Sequence, residues 1–221
     1  LLPKQAVVKI DPDIPLDIAS LIGCGVMTGA GAALNTAKVT PGSSVIVYGA
    51  GGVGIAAIQG ARIAGAAEIV AVDLNDEKLN DARRFGATHA VKPEDVDAAK
   101  LEITGGDGFD FALECIGRPL TMRASYDAIR RGGTACIVGV GRAEEMVEFS
   151  AFELFFMEKT LVGSYYGGTD VRSDFHKLLR LYKQGQLDLE GMITRRIKID
   201  EINPALEAVR NGEVIRQVIE F

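Results

Sequence analysis

The fold of this chain is decided by a stretch that reads Ser44-Val-Ile-Val-Tyr48-Gly-Ala-Gly-Gly-Val-Gly54 and, after a run of small apolar residues, Glu68-Ile-Val-Ala-Val-Asp73. The first five residues are apolar and mostly β-branched, which predicts a buried strand of a parallel sheet. The small apolar residues predict a helix, and a second strand ends at Asp73. Strand, glycine-rich turn, helix and strand follow one another as in a βαβ unit.

The glycines of the turn, Gly49, Gly51 and Gly54, have the G-x-G-x-x-G spacing typical of dinucleotide-binding sites. The first allows a tight turn, the second lets a pyrophosphate approach the backbone, and the third lets the helix pack closely on the strand. The pyrophosphate would lie on the positive end of the helix. Asp73, nineteen residues after Gly54, can accept both hydroxyls of a ribose. A purely structural glycine turn is the alternative, but the order of all these features favours dinucleotide binding.

The rest of the chain up to Tyr165 continues the alternation of strands and helices. About six alternations predict an α/β fold with a doubly wound, six-stranded parallel sheet of the Rossmann type. Within this pattern, Gly23-Cys24-Gly25 is expected to break a helix, and Gly132-Gly133 to cap a helix that runs to Arg131. The opening segment Leu1–Ile10 is expected to be extended, and the tail from Asp170 to lie outside the nucleotide-binding unit.

Composition excludes several classes of function. The chain has 221 residues, 48% of them hydrophobic, and a net charge of −6, which argues against nucleic acid and anionic membrane surfaces as partners. We find no 18 uninterrupted apolar residues and no signal peptide, so neither a membrane span nor export is expected. Three scattered cysteines suggest a reducing compartment, and we expect a cytoplasmic protein.

The chain resembles the zinc-dependent medium-chain alcohol dehydrogenases over nearly its whole length. The motifs that carry the resemblance are Ile22-Gly-Cys24-Gly25, Thr28-Gly29, Gly49–Gly54, Val72-Asp73, Glu114-Cys-Ile-Gly-Arg118, Val138-Gly-Val140, Gly163–Gly168 and Gly212–Arg216. The resemblance implies that this is the coenzyme-binding, C-terminal part of such an enzyme, without its N-terminal catalytic domain. It divides the chain into a remnant of that domain (1–25), the dinucleotide-binding Rossmann domain (26–168) and a segment returning to the catalytic domain (169–221).

The resemblance also implies the residues of the site. Those that would bind NAD are Gly49, Gly51, Gly52, Val53, Gly54, Asp73, Lys78, Ile116, Gly117, Arg118, Val138, Gly139, Val140 and Arg216. Among them, Asp73 and Lys78 match ribose contacts, and Arg216 matches an arginine that reaches the pyrophosphate. The alternative for Lys78 is a charged helix face, and for Arg118 an ordinary surface position.

Cys24 and Thr28 are the catalytic candidates that the resemblance implies. Cys24 matches a thiolate ligand of the catalytic zinc, and Thr28 a position near the nicotinamide. From the residues alone, a small packing residue in a glycine-rich corner is the favoured interpretation of Cys24, and only the resemblance makes it a zinc ligand. The alternative for Thr28 is a helix cap. His89 and His176 have no nearby cysteine in the sequence and are not expected to bind metal.

The function implied is that of an oxidoreductase that transfers hydride between an alcohol or aldehyde and NAD, with zinc as the metal of the intact enzyme. A non-catalytic NAD-binding module and a zinc-free quinone or enoyl reductase are the alternatives. Simple primary alcohols, aromatic alcohols, polyols and thiol–formaldehyde adducts all stay open as substrates. The apolar strand Thr160–Tyr165 should lie at a sheet edge, and the resemblance implies a homodimer joined there.

Overall fold

The computed structural model describes residues 1–4 and 7–221. The predicted extended segment Leu1–Ile10 includes Gln5 and Ala6, which lie outside the described residues. The strands are β1 (Ser44–Tyr48), β2 (Glu68–Val72), β3 (His89–Val91), β4 (Phe109–Glu114), β5 (Ile129–Ile137), β6 (Thr160–Gly163), β7 (Ile193–Ile197) and β8 (Arg216–Ile219). The α-helices are α1 (Leu16–Leu21), α2 (Met27–Gly31), α3 (Gly52–Ile63), α4 (Asp76–Arg84), α5 (Val96–Thr104), α6 (Pro119–Ala128), α7 (Ala151–Phe156), α8 (Val171–Lys183) and α9 (Ile202–Arg210).

The first six strands form one parallel sheet in the order β3-β2-β1-β4-β5-β6. The predicted doubly wound sheet is therefore confirmed. The chain builds outward from β1 in one direction and then from β4 in the other, so the strand order reverses between these two strands. Tyr48 pairs with Val72 on one side and Glu114 on the other, which aligns the carboxyl ends of three strands. In such sheets the crevice at this reversal is where ligands bind.

Strand β1 shows why the sheet is buried on both faces. Val45 and Val47 point into one hydrophobic core, and Ile46 and Tyr48 into the other. The first core lies under α1, α2, α3 and α8, and the second under α5 and α6. An uninterrupted apolar strand has this arrangement because helices cover both faces of a parallel sheet.

The predicted break at Gly23-Cys24-Gly25 is wrong, because the helix runs without interruption over Leu16–Thr36. The helix widens into a π-turn at Ile22–Val26, where Gly25 leaves room for the side chain of Arg216. A Cβ on Gly29 would lie 2.1 Å from the carbonyl oxygen of Val53, so only glycine lets this helix approach α3.

The same helix is long and apolar enough to cross a membrane by length and composition, which the sequence analysis did not anticipate. However, 67% of its 18-residue apolar window is buried inside the fold. Its apolar surface packs mainly against α3 and the turn Tyr166–Gly168. A buried core helix accounts for this composition.

The predicted glycine cap at Gly132-Gly133 is also wrong. Helix α6 ends at Ala128, and both glycines lie inside β5. A Cβ on Gly133 would lie 3.0 Å from the backbone oxygen of Asp110, where the register between β4 and β5 shifts. Glycine inside a strand often marks such an irregularity.

The tail from α8 onward packs on the nucleotide-binding unit. Leu178, Leu187 and Met192 belong to the same buried core as β1 and α3. The fully buried amide of Gln59 on α3 donates to the carbonyl of Asp188 (3.1 Å) and accepts from its N–H (2.8 Å). Strands β7 and β8 form a separate parallel pair. The domain boundaries at residues 25 and 168 stay predictions.

Candidate functional site

A cleft of about 800 Å³ opens at the carboxyl ends of β1, β2 and β4, where the strand order reverses. The structure brings six of the predicted cofactor residues together in its walls: Gly49, Gly51, Asp73, Lys78, Ile116 and Arg118. The others lie around it or on neighbouring strand ends. The cleft therefore occupies the place in the fold where a nucleotide is expected.

The glycine turn at the end of β1 has the geometry that its spacing predicts. Gly49 has a φ of 91°, a conformation that favours glycine, and its N–H donates to the carbonyl oxygen of Val72 (2.8 Å). A Cβ on Gly54 would lie 1.7 Å from the carbonyl oxygen of Gly49, so this position must lack a side chain. A Cβ on Gly51 would meet nothing within 4 Å. Gly51 therefore faces open space, and a ligand can approach its backbone.

Helix α3 begins at Gly52 and points its N-terminus into this open space. Within the part of the chain that the structure describes, no side chain caps this end. The N–H groups of Gly52, Val53 and Gly54 at the start of a helix have no partner in the helix itself. Together with the helix dipole they form a site for an anion such as a phosphate.

The guanidinium group of Arg216 lies beside this helix end. A Cβ on Gly52 would fall 2.2 Å from its Cζ, and a Cβ on Gly25 only 2.0 Å from its Nη2. Arg216 thus fills the space that two glycines leave between α3 and the π-turn. Burial lowers the pKa of this guanidinium, while the nearby Cys24 opposes the shift. A half-buried cation next to a helix N-terminus strengthens the case for an anionic ligand.

Asp73 follows β2 and turns toward the glycine turn. Its Oδ2 accepts the N–H of Ala50 (2.8 Å), and its Oδ1 accepts the N–H of Asn75 (3.0 Å). Each carboxyl oxygen has a second lone pair for a ligand hydroxyl. Lys78 lies one turn along α4, and a Cβ on Gly212 would come within 3.0 Å of its Nζ. The tail therefore closes one side of the cleft near Lys78.

Two loops at the ends of β4 and β5 pack against each other. Ile116 contacts the glycine turn, because a Cβ on Gly49 would lie 2.7 Å from its Cγ1. Gly117 has a φ of 88° and packs on the backbone of Val140, while Gly139 packs on the N–H of Gly117. The predicted segments 116–118 and 138–140 are thus one contiguous wall.

Cys24 and Thr28 lie on the long helix. The thiol of Cys24 is exposed on the π-turn, where the hydroxyl of Tyr166 donates to the carbonyl of Gly23. Thr28 is half-buried one helical turn further along.

Among residues 1–4 and 7–221, no three His, Cys, Asp or Glu side chains are grouped so that they could hold a metal ion. His89 instead lies 3.4 Å from Glu68, and His176 is on α8. Cys24 alone does not make a zinc site, which requires at least three protein ligands.

Sequence reasoning missed several residues of the cleft. The further lining residues are Tyr48, Val72, Leu74, Pro93, Val96, Asp97, Lys100, Cys115, Leu120, Thr121, Ala124, Asp127 and Ala128. Most come from the faces of α5 and α6, whose distance from the glycine turn no local pattern reveals. Leu74 could have been found from the sequence, since it is an apolar residue that directly follows Asp73. In the structure it is 77% exposed.

Comparison with known proteins agrees with this geometry. The family model for zinc-binding dehydrogenases matches residues 52–184. S-(hydroxymethyl)glutathione dehydrogenase of Saccharomyces cerevisiae is 42% identical, over 97% of this chain and 57% of that protein. Alcohol dehydrogenase 1 of Petunia hybrida is 40% identical, over 96% of this chain and 57% of that protein. The crystal structure of benzyl alcohol dehydrogenase from Acinetobacter calcoaceticus has a TM-score of 0.92 and 35% identity, over 97% of this chain and 59% of that one.

The chain spans 57% of the length of these two curated relatives. It aligns with their C-terminal, coenzyme-binding portion. The matched residues include α3 and most of the walls of the cleft. From the family match and the site that it covers, we conclude that the chain belongs to the zinc-binding dehydrogenase family.

Proposed function

We propose that this chain is the NAD-binding part of an alcohol dehydrogenase that transfers hydride between a small alcohol or aldehyde and NAD. The observation that carries the proposal is the conjunction of an uncapped helix N-terminus, the guanidinium of Arg216 and the carboxyl group of Asp73 around one cleft. A dinucleotide needs a site for its pyrophosphate and sites for its sugars. The helix N-terminus and Arg216 would supply the first, and Asp73 would supply a sugar site. The names of the relatives support the type of reaction.

The pyrophosphate would be held by Gly51, the first N–H groups of α3 and Arg216. Its two negative charges would offset the cost of keeping a guanidinium half-buried. Charge-assisted hydrogen bonds from arginine to phosphate are short and directional, so Arg216 would also set the position of the pyrophosphate.

The adenosine half would lie between Leu74 and Ile116, with its ribose on Asp73 and Lys78. A carboxylate at this position favours the two free hydroxyls of NAD over the 2′-phosphate of NADP, since like charges repel in a partly buried site. The two residues that follow Asp73 are Leu74 and Asn75. No arginine therefore stands directly after Asp73 to neutralise the 2′-phosphate of NADP.

The nicotinamide half would lie along Val138–Val140. The nicotinamide ring supplies the hydride acceptor when it is bound. The protein's own part is to orient the ring against this wall and to keep water from the reacting face. Cys24 would provide one ligand for zinc in the whole protein, with the remaining ligands contributed from outside this chain.

The partners and location follow from the same proposal. Strand β6 lies at the edge of the sheet, as the sequence predicts, and its backbone is free to pair with a second copy. Beside it, Phe152, Phe155 and Phe156 on α7 are 67%, 78% and 49% exposed. We propose that two copies join through β6 and α7, and that the protein is cytoplasmic and acts without a nucleic acid or membrane partner.

Calorimetric titration of the purified chain with NAD tests the proposal. We expect one NAD per chain, and competition by AMP and by ADP-ribose. The control is Asp188→Ala, on the tail and away from the cleft. It keeps the backbone groups that bind Gln59, so the variant should fold and bind NAD as the wild type does. A wild-type chain that is folded but binds none of these nucleotides would refute the proposed function.

A further inference from the structure

The carboxyl group of Glu114 is fully buried at the carboxyl end of β4, directly beneath the wall of the cleft. Its Oε1 accepts three hydrogen bonds. They come from the N–H groups of Ile116 (3.0 Å) and Gly117 (2.8 Å) and from the hydroxyl of Thr121 (2.7 Å) on α6. One side-chain oxygen therefore holds the loop after β4 and the first turn of the helix that follows it.

The main chain of the same residue holds the neighbouring loop. The carbonyl oxygen of Glu114 accepts the N–H groups of Val138 (2.8 Å) and Gly139 (2.9 Å), at the end of β5. Glu114 thus binds the loop at Ile116 with its side chain and the loop at Gly139 with its backbone. The first loop faces the cleft beside Gly49, and the second lies on the proposed nicotinamide side.

The two loops are also closely packed, with no room for a side chain between them. A Cβ on Gly117 would lie 2.5 Å from the carbonyl oxygen of Val140. A Cβ on Gly139 would lie 2.1 Å from the backbone nitrogen of Gly117. Because the backbones are this close, a displacement of the loop at Gly117 toward Val140 would also displace the loop at Val140.

We propose that Glu114 is a positioning residue that couples the adenosine wall at Ile116 to the nicotinamide wall at Val140. The inference rests on the proposed NAD site. Glu114 does not line the cleft, so it acts through the loop after β4, whose Ile116 and Arg118 do, and through the loop after β5 that packs on it. By holding both walls in one arrangement, it sets the separation at which the two halves of the dinucleotide are bound.

The chemistry of the donors explains why a side chain with an acceptor oxygen is needed here. Without an acceptor in this buried place, the N–H groups of Ile116 and Gly117 would be left unpaired, and each would carry a desolvation penalty. The hydroxyl of Thr121 would keep the carbonyl of Arg118 (3.0 Å) as an acceptor. The second oxygen, Oε2, is buried and has no hydrogen-bond partner among residues 1–4 and 7–221. A glutamine could therefore replace Glu114 with its amide oxygen in the place of Oε1, whereas alanine could not.

The experiment compares NAD with AMP, which would touch the adenosine wall alone, by calorimetric titration of the full chain. We expect Glu114→Ala to weaken NAD binding by about tenfold or more, and AMP binding by a clearly smaller factor. Ile116→Ala should weaken both ligands by the same factor, because it changes the adenosine wall only. Glu114→Gln should restore NAD affinity to within about threefold of the wild type, and Glu102→Ala, an exposed acid on α5, should change nothing.

Equal losses for NAD and AMP in Glu114→Ala would overturn the coupling, and so would an unchanged NAD affinity. If the wild type binds neither ligand, the proposed function fails instead. Hydrogen exchange of the wild type tests the inference in two further cases: when the wild type binds no ligand, and when Glu114→Ala does not fold. The amides of Ile116, Gly117 and Gly139 should exchange slowly and at similar rates, and exchange at Ile116 and Gly117 as fast as at the exposed Gly106 would overturn the proposal.

Discussion

The guanidinium group of Arg216 occupies the space that a side chain at Gly52 would need, with its Cζ 2.2 Å from the position of the missing Cβ. A residue of the last strand is thereby brought to the first turn of α3. The contact depends on both partners, because the glycine makes the room and the arginine brings the charge.

Replacing Arg216 should weaken NAD binding without unfolding the chain. We expect Arg216→Leu to lower affinity by about 10- to 100-fold, since a hydrogen bond to a charged group contributes about 1.5–3 kcal/mol. Gly52→Ala should have a similar effect by displacing the guanidinium. Calorimetry with NAD measures both, and Arg210→Leu, an exposed arginine on α9 that pairs with Glu207, is the matched control. Normal affinity in Arg216→Leu would show that the cation does not face the pyrophosphate.

The glycine turn separates a requirement of the fold from a requirement of the ligand. A methyl group at Gly51 meets nothing within 4 Å, so Gly51→Ala should keep stability within about 0.5 kcal/mol of the wild type. The same methyl group would obstruct the pyrophosphate and weaken NAD binding by about tenfold or more. Gly54→Ala instead forces a contact of 1.7 Å with Gly49 and should cost about 1–3 kcal/mol of stability. Denaturant unfolding and NAD titration distinguish the two, and a stable Gly54→Ala with normal NAD binding would contradict this geometry.

NAD should bind more tightly than NADP because of Asp73. Asp73→Asn keeps an oxygen that can accept the N–H of Ala50 but removes the charge, so it should narrow the preference by about tenfold or more. Titration with both cofactors gives the ratio directly. The control is Asp76→Asn. The carboxyl group of Asp76 is exposed at the start of α4 and pairs with Lys92, so this variant should leave the ratio as it is. Equal or tighter binding of NADP by the wild type would refute the prediction.

The chain should be a dimer in solution. Phe155→Glu places a charge on the exposed face of α7. Leu161→Pro removes a backbone N–H from the side of β6 that faces away from β5, because the N–H of Ser164 donates to Ile137 and alternate residues of a strand point in opposite directions. Each variant should therefore give a monomer. Light scattering at micromolar concentration measures the mass. Leu101→Glu changes an equally apolar, 65% exposed residue on α5 and should leave the dimer intact. A monomeric wild type, or a dimer that survives both edge variants, would count against this interface.

The parts of the structure that could be predicted are those governed by local chemistry. The spacing of Gly49 and Gly54 predicts the turn because each answers a local constraint, the positive φ of Gly49 and the contact of Gly54 with the carbonyl of Gly49. Gly51 answers no contact within the chain and leaves space for a ligand. Gly25 could not be interpreted in this way, since its lack of a side chain serves Arg216 at the other end of the chain. Without that contact, glycines beside Cys24 indicate a helix break, whereas the structure has a continuous helix with a π-turn.

Glu114 shows the same limit within the site. In the sequence it is one acid at the end of an apolar strand, and nothing nearby indicates that it is buried. Its role depends on two loops, one of which follows β5, and on Thr121 of α6. Burial of a polar side chain and the identity of its distant donors are properties of the packed structure, so a local pattern cannot predict them.

The last prediction is that this chain binds NAD but does not oxidise alcohols. The groups for the pyrophosphate and the ribose are present around the cleft. In contrast, no three His, Cys, Asp or Glu side chains among the described residues are grouped so that they could hold a metal ion, at Cys24 or elsewhere. Transfer of hydride from a neutral alcohol is disfavoured unless the hydroxyl proton is removed. A zinc ion with three protein ligands and one open position could act as a Lewis acid and favour loss of that proton. His89 pairs with Glu68 and His176 lies on α8, so neither is placed to complete a site at Cys24.

The measurements are zinc content, NAD affinity and alcohol-dependent formation of NADH on the same preparation. We expect substoichiometric zinc, saturable NAD binding and no turnover with primary or aromatic alcohols. Cys24→Ser should leave NAD affinity unchanged within about threefold, because its thiol lies outside the walls of the cleft. Stoichiometric, tightly bound zinc together with turnover would contradict the prediction. If Cys24→Ser then lost both zinc and turnover, copies of this chain alone would be sufficient to form the metal site, for example by sharing ligands between two copies.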